Sequence, residues 1–204
     1  RGNPGGIAQK AIAGVDLALW DIKGKALGAP VYELFGGPTR DRMRLYWSHC
    51  GTSRARHSDL LGTPPIRSRQ DITDLGKEVA RRGFTAFKTN IVIPGEPASV
   101  YDPGADGPLG GIDRNVSPKL IRLIEAHIGA FREAVGNDID ILLDTNFNFK
   151  TECFMRIAKA MEPFNLFWLE IDTLDPEALL QVKESTKTRI CSCETLYTRR
   201  QYKP

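Results

Sequence analysis

Three apolar runs, each closed by a carboxylate and spaced about one strand-plus-helix unit apart, constrain this chain more than any other feature. Residues 139–143 lead into Asp144, Leu166-Phe167-Trp168-Leu169 leads into Glu170, and Arg189-Ile190-Cys191-Ser192-Cys193 leads into Glu194. The acids stand 26 and 24 residues apart. A near-continuous apolar run suits a strand covered on both faces, as strands of parallel sheets are. Neighbouring parallel strands bring their C-terminal ends to one edge, where βα enzymes keep their chemistry. Carboxylates converging at such an edge repel one another, so protons or a metal must compensate, and a hard divalent cation is the simplest solution. Spacing alone gives equal weight to another reading, in which each acid is solvated or paired locally.

The remaining pattern alternates in the same way. Residues 11–27 carry a helical stripe of Ile12, Val15, Leu19 and Ile22, expected to pack, with Gly28 and Pro30 as the stop. Gly36-Gly37-Pro38 makes a turn, and Met43-Arg44-Leu45-Tyr46-Trp47 has the composition of a first strand. Ser68 with Asp71 predicts a capped helix ending at Gly83, followed by a second strand over Phe84-Thr85-Ala86-Phe87-Lys88. Residues 93–116, rich in Gly, Pro and Asp, read as a functional loop or lid. Ser117-Pro118 opens a helix with Leu120, Ile121, Ile124, Ile128 and Phe131 on its buried stripe, closed by Gly136-Asn137. Thr151 is the expected cap of a helix through Met161, and Asp175-Pro176 starts another through about Lys183. Five strands, each leading into a helix or the start of one, imply a parallel α/β sheet. An open doubly wound sheet and an eight-stranded barrel both fit, although 204 residues do not close the barrel.

Composition removes several classes. With 41% hydrophobic and 26% charged residues the chain is ordinary globular material, neither disordered nor collagen-like. A formal charge of +3, with basic and acidic residues interleaved, does not make a nucleic-acid surface, though a small anionic ligand stays open. No apolar run reaches transmembrane length and Arg1-Gly2-Asn3-Pro4-Gly5-Gly6 lacks the organisation of a signal peptide, so a cytoplasmic location is expected. Cys50, Cys153, Cys191 and Cys193 are too irregular for a disulfide scaffold, and Cys191-Ser192-Cys193 has no second ligand pair to complete a zinc site.

The segment Ala11-Ile12-Ala13-Gly14-Val15-Asp16-Leu17-Ala18-Leu19-Trp20-Asp21-Ile22-Lys23-Gly24-Lys25, followed by Leu34-Phe35-Gly36-Gly37, resembles the end of the capping domain in the mandelate racemase/muconate lactonizing enzyme branch of the enolase superfamily. Lys88 falls at that family's second-strand lysine motif. Asp144-Thr145-Asn146, Trp168-Leu169-Glu170 and Glu194-Thr195-Leu196-Tyr197 resemble its three metal-ligand strands in order. The resemblance implies a modified TIM-type (β/α) barrel, with residues 1–40 as the helical end of the capping domain and its linker, and 41–204 as the first five strands. It further implies Mg²⁺ held by Asp144, Glu170 and Glu194. The cation would stabilise the enediolate formed when a carboxylate substrate loses its α-proton.

Three departures qualify this. The family's Lys-x-Lys is here Lys88-Thr89-Asn90, and an amide takes no proton, so one substrate face lacks its usual base. Lys88 is then either a replacement base or a substrate-orienting ammonium, and Asn90 is expected to face the metal pocket and orient substrate. Ile171-Asp172 stands where a proline commonly follows the second ligand. The chain also stops before the strands that carry the family's further acid/base groups, so a longer natural protein is expected, with these residues inactive alone.

Dehydration of a sugar acid, which needs one base and one acid, is the leading expectation. Racemisation, epimerisation or cycloisomerisation is the alternative within the class, and a catalytically silent homologue that binds metal or sugar acid lies outside it. The expected partners are a small carboxylate substrate and further copies of the chain, with no nucleic acid and no membrane. Asn146, two residues past Asp144, and His49, near the end of the first strand, are candidate substrate contacts. Arg54, Arg56, His57, Arg67 and Arg69 read as a solvated loop in preference to an anion site, and His127 reads as structural.

Overall fold

The computed structural model describes residues 6–102 and 114–202. The chain divides into two compact units, one of residues 45–192 and one that joins residues 1–44 to 193–204.

The larger unit is built on a parallel sheet. Its strands are β1 (Ala86–Thr89), β4 (Asp140–Asp144), β5 (Trp168–Glu170) and β6 (Ile190–Cys191), side by side in that order. Between β1 and β4 lies a separate antiparallel hairpin of β2 (Val92–Ile93) and β3 (Ser99–Val100). In register, Thr89 lies beside Leu143, Asp144 beside Glu170, and Glu170 beside Cys191. Ile141, Leu142 and Leu143 of β4 are all fully buried, as a strand covered on both faces requires.

The expected first strand, residues 43–47, is corrected to a single parallel bridge between Trp47 and Phe87. Trp47 N–H donates to Ala86 at 3.0 Å and its carbonyl accepts from Lys88 N–H at 2.8 Å. Met43 and Leu45 are 67% and 72% exposed, and Tyr46 meets the Trp168 ring edge-on, centroids 6.1 Å apart, without forming a ladder.

Helices α3 (Thr52–Leu61), α4 (Arg69–Arg81), α5 (Pro118–Val135), α6 (Thr151–Ala160) and α7 (Pro176–Glu184) connect the strands. Their starts are set by local chemistry. Ser68 and Asp71 form a reciprocal capping box on α4, the Ser117 side chain accepts from Leu120 N–H, and Asp175 accepts from Glu177 and Ala178 N–H. Thr151 is the first residue of α6, and the cap position belongs to Lys150, whose side chain makes no capping bond. Helices α4 and α5 pack so closely that a Cβ on Gly76 would stand 2.7 Å from that of Ala134. Only glycine allows that approach. Leu120, Ile124, Ile128 and Phe131 of α5 are buried as expected, with Ile121 half-buried.

The smaller unit contains α1 (Gly6–Leu27), α2 (Val31–Leu34) and α8 (Thr198–Gln201). Trp20 and Phe35 meet with ring centroids 4.5 Å apart. The stripe of Ile12, Val15, Leu19 and Ile22 is not packed: these side chains are 59–63% exposed among the described residues. Periodicity located the helix and not its burial. The segment expected to be a lid begins at the second residue of β2 and contains β3, and residues 103–113 of it lie outside the described residues. No helix among the described residues is long and apolar enough to cross a membrane.

Candidate metal centre at the ends of the central strands

Asp144 and Glu170 are the last residues of β4 and β5 and partner each other in register, so the sheet delivers both carboxylates to one edge. They are 4% and 7% exposed, and their carboxylate oxygens lie within 4.8 Å of each other. Lys88 reaches them from β1, its ammonium 3.0 Å from Asp144 Oδ2 and 3.0 Å from Glu170 Oε2. Burial alone would lower the lysine's pKa, but Asp144 and Glu170 together outweigh it and hold Lys88 well above the ordinary lysine range. The paired acids favour the ammonium form of Lys88, a hydrogen-bond donor.

The acids are fixed from behind. Asp144 Oδ1 accepts from Asn146 N–H at 3.0 Å, a local turn that places Asn146 at φ 52°. Thr145, fully buried, donates through both its N–H and its hydroxyl to the Glu170 carbonyl, at 3.0 and 2.7 Å. Trp168 Nε1 donates to Glu170 Oε2 at 3.4 Å.

Asn90 follows β1 directly and is 6% exposed. Its Oδ1 accepts from the Thr52 hydroxyl at 2.8 Å and its Nδ2 donates to the Asp144 backbone carbonyl at 3.3 Å. Both ends of the amide expected to meet substrate therefore already engage protein atoms. Next to it, Thr89 Oγ1 bonds the Asn90 carbonyl at 3.0 Å and lies 3.3 Å from His127 Nε2. Burial pushes His127 down to about 4, and its Nδ1 has no partner among the described residues. It is a neutral structural imidazole.

The other candidates are placed as follows. His49 is exposed at φ 52°, its Nδ1 2.9 Å from Ser48 Oγ. Asn146 is half-buried, and its carbonyl accepts from Asp172 N–H at 3.3 Å. Glu194 stands three residues past β6, next to Cys193 at φ 87°, within the unit of residues 1–44 and 193–204. Of the arginines expected to be solvated, Arg54 is part-buried against Glu78 at 2.7 Å, whereas Arg56, Arg67 and Arg69 stay exposed while pairing with Asp102 at 3.4 Å and with Glu96 and Glu133 at 2.6 Å each. Thr52 lies in no motif, and Thr145, though inside Asp144-Thr145-Asn146, is assigned no role from sequence, since each acts on a residue 25 or more positions away.

The donor set is all oxygen, anionic, buried and without a thiolate or imidazole bonded to either acid among the described contacts. That chemistry fits a hard divalent cation and not a soft one.

Residues 71–204 match the family profile described as enolase C-terminal domain-like, and residues 4–36 match the N-terminal domain of mandelate racemase/muconate lactonizing enzymes. The chain is 33% identical over 198 residues to D-galactonate dehydratase family member ManD of Chromohalobacter salexigens, covering 90% of this chain and 44% of that protein. It is 30% identical over 192 residues to D-gluconate dehydratase of Thermoproteus tenax, covering 91% of this chain and 32% of that one. Among solved structures, a putative L-alanine-DL-glutamate epimerase of Burkholderia xenovorans, crystallised also with magnesium and fumarate, is 39% identical. It superposes with a TM-score of 0.90 over 98% of this chain and 51% of its own. The chain thus spans about half or less of each of these relatives. Its parallel sheet with acids at the strand ends and its two profile matches agree: the chain belongs to the mandelate racemase/muconate lactonizing enzyme branch of the enolase superfamily, with that superfamily's TIM-barrel-like α/β fold.

Proposed function

We propose that this chain is part of a Mg²⁺-dependent enzyme that removes the proton α to a carboxylate, and that its reaction is the dehydration of a sugar acid. The observation that carries this is the pair Asp144 and Glu170, buried side by side at the ends of adjacent parallel strands with the Lys88 ammonium 3.0 Å from each. In this reading Asp144, Glu170 and Glu194 hold the cation, Glu194 by virtue of its place one βα unit after Glu170. When bound, the cation supplies positive charge where the deprotonated substrate becomes negative.

Lys88 keeps the two acids in place and presents a positive N–H donor toward the substrate carboxylate. Asn146 and His49 are the proposed contacts to substrate hydroxyls. In this reading Asn90, an amide, takes no proton and Lys88 serves as an orienting ammonium, so the base is neither of them. A position without a base on one substrate face favours dehydration over a two-base racemisation. The same reading makes residues 1–40 the helical end of a capping domain and 41–204 the start of the barrel. The protein is then a cytoplasmic homo-oligomer acting on small molecules. The names of the two curated relatives, both dehydratases or members of a dehydratase family, support it.

The Burkholderia structure, titled an epimerase, favours a second reading, epimerisation. Incubation of the full-length protein with Mg²⁺ and a panel of sugar acids in deuterated water separates the two. Loss of water to give a 2-keto-3-deoxy acid supports dehydration. Deuterium entry with inversion and no dehydration supports epimerisation, and neither reaction across the panel, with Mg²⁺ bound, overturns both in favour of a silent binder.

A further inference from the structure

We propose that Thr52 and Asn90 form a strut that holds Asp144 in place, so that Asn90 serves the centre through the protein and not through substrate. The inference rests on the reading above, in which Asp144 holds the cation.

The strut begins at Thr52, the first residue of α3, which is 3% exposed. Its hydroxyl donates to Asn90 Oδ1 at 2.8 Å and accepts from Asn90 N–H at 3.4 Å, so one side chain fixes both the backbone and the amide of Asn90. Asn90 Nδ2 then donates to the Asp144 carbonyl at 3.3 Å. A carbonyl oxygen only accepts, so the amide nitrogen must be the end that faces it, and Oδ1 must face Thr52. The amide orientation is therefore determined by both neighbours. Thr89 Oγ1 donates to the Asn90 carbonyl at 3.0 Å, a further hold on the Asn90 backbone.

Asp144 is gripped at three points: its carbonyl by Asn90, its Oδ1 by Asn146 N–H, and its Oδ2 by Lys88. The two carboxylate grips set the side chain only if the main chain beneath it is fixed. The strut fixes it. A ligand that must be ordered on binding subtracts that ordering free energy from metal affinity, which is why groups behind a ligand matter nearly as much as the ligand.

The test is Mg²⁺ binding to the full-length protein by titration calorimetry, without substrate. Thr52→Val and Asn90→Leu are expected to weaken Mg²⁺ binding ~10–100-fold, while Thr52→Ser, which keeps the hydroxyl, stays near wild type. Val79→Ala, a buried position on α4 outside the strut, should lower the melting temperature and leave Mg²⁺ affinity unchanged. Should Thr52→Val fail to fold, Asn90→Ala reads the same quantity. Folded Thr52→Val and Asn90→Leu proteins that bind Mg²⁺ like wild type would overturn the strut. A raised KM in Asn90→Leu with unchanged Mg²⁺ affinity would do so too, returning Asn90 to substrate contact. If instead the wild type binds no Mg²⁺, or Asp144→Asn binds it equally well, the metal reading itself falls and the strut's purpose with it.

Discussion

Replacing Lys88 by methionine removes the cation between two buried carboxylates while keeping the apolar length of the side chain. In the structure its ammonium lies 3.0 Å from Asp144 and 3.0 Å from Glu170, with the side chains 11%, 5% and 10% exposed respectively. At an effective dielectric constant of ~20, each contact is an attraction of ~5 kcal/mol. The two acids, within 4.8 Å of each other, then repel by upward of ~3 kcal/mol on the same scale. Rehydration of the acids and the avoided desolvation of the lysine offset most of this. The expected net loss of stability is ~3–5 kcal/mol, the usual cost of breaking a buried pair. Urea unfolding in EDTA measures it as a shift in midpoint at constant slope. Because a bound divalent cation replaces the missing charge, Mg²⁺ should stabilise Lys88→Met more than wild type. A site at a hundredfold excess over its Kd gains ~2.7 kcal/mol, and the variant's tighter Kd adds to that. A variant within ~1 kcal/mol of wild type in EDTA, or a gap that widens in Mg²⁺, would refute the charge-balance argument.

Two other perturbations follow from the core. His127 is neutral when folded and resists protonation until about 4, whereas the unfolded imidazole takes its proton near 6.5. Stability is therefore lost as pH falls from 6.5 towards 4, by about 3 kcal/mol in total, and His127→Leu should flatten that part of the pH dependence in urea titrations; an unchanged slope would contradict a neutral buried imidazole. Gly76→Ala should lower the melting temperature despite alanine's better helix propensity, since its Cβ would meet that of Ala134 at 2.7 Å and overpacking costs ~1–3 kcal/mol; a raised melting temperature would show that α4 and α5 separate freely.

What the sequence reveals here is mostly what neighbours in sequence decide. Ser68 with Asp71, Ser117 with Pro118, and Asp175 with Pro176 all cap helices, because a cap needs only groups within three residues. The apolar runs before Asp144 and Glu170 become central strands because both faces of a parallel strand must be covered. Strand composition at Met43–Trp47 was insufficient, for a strand exists only where a ladder partner lies alongside, and only Trp47 finds one. The β2–β3 hairpin was missed because most of it runs through a segment whose Gly and Pro content suggested irregular structure. In the positive loop, read as solvated, Arg67 and Arg69 are indeed exposed, and only Arg54 is drawn inward, by Glu78, 24 positions away. Asn90 was read by its chemistry, as a residue that takes no proton. Its partners, Thr52 and the Asp144 carbonyl, lie 38 and 54 positions away and could come only from the fold.

The charge of the centre connects these observations to the choice of cation. Asp144, Glu170 and Lys88, which the sheet brings together, carry one net negative charge between them. A single lysine therefore cannot neutralise the pair, and a lone buried charge costs several kcal/mol. With Glu194 as third acid, as proposed above, the set carries two negative charges, the number a divalent cation cancels. A monovalent ion would leave a charge behind, and the donors are oxygens, which favours a hard metal. In the metal-free protein Lys88 takes over part of that task, which accounts for an ammonium lodged against both ligands. The two cations then share one pair of acids. In the reading proposed above, a substrate carboxylate would add a further negative charge beside them, and the Lys88 ammonium, 3.0 Å from both acids, would offset it.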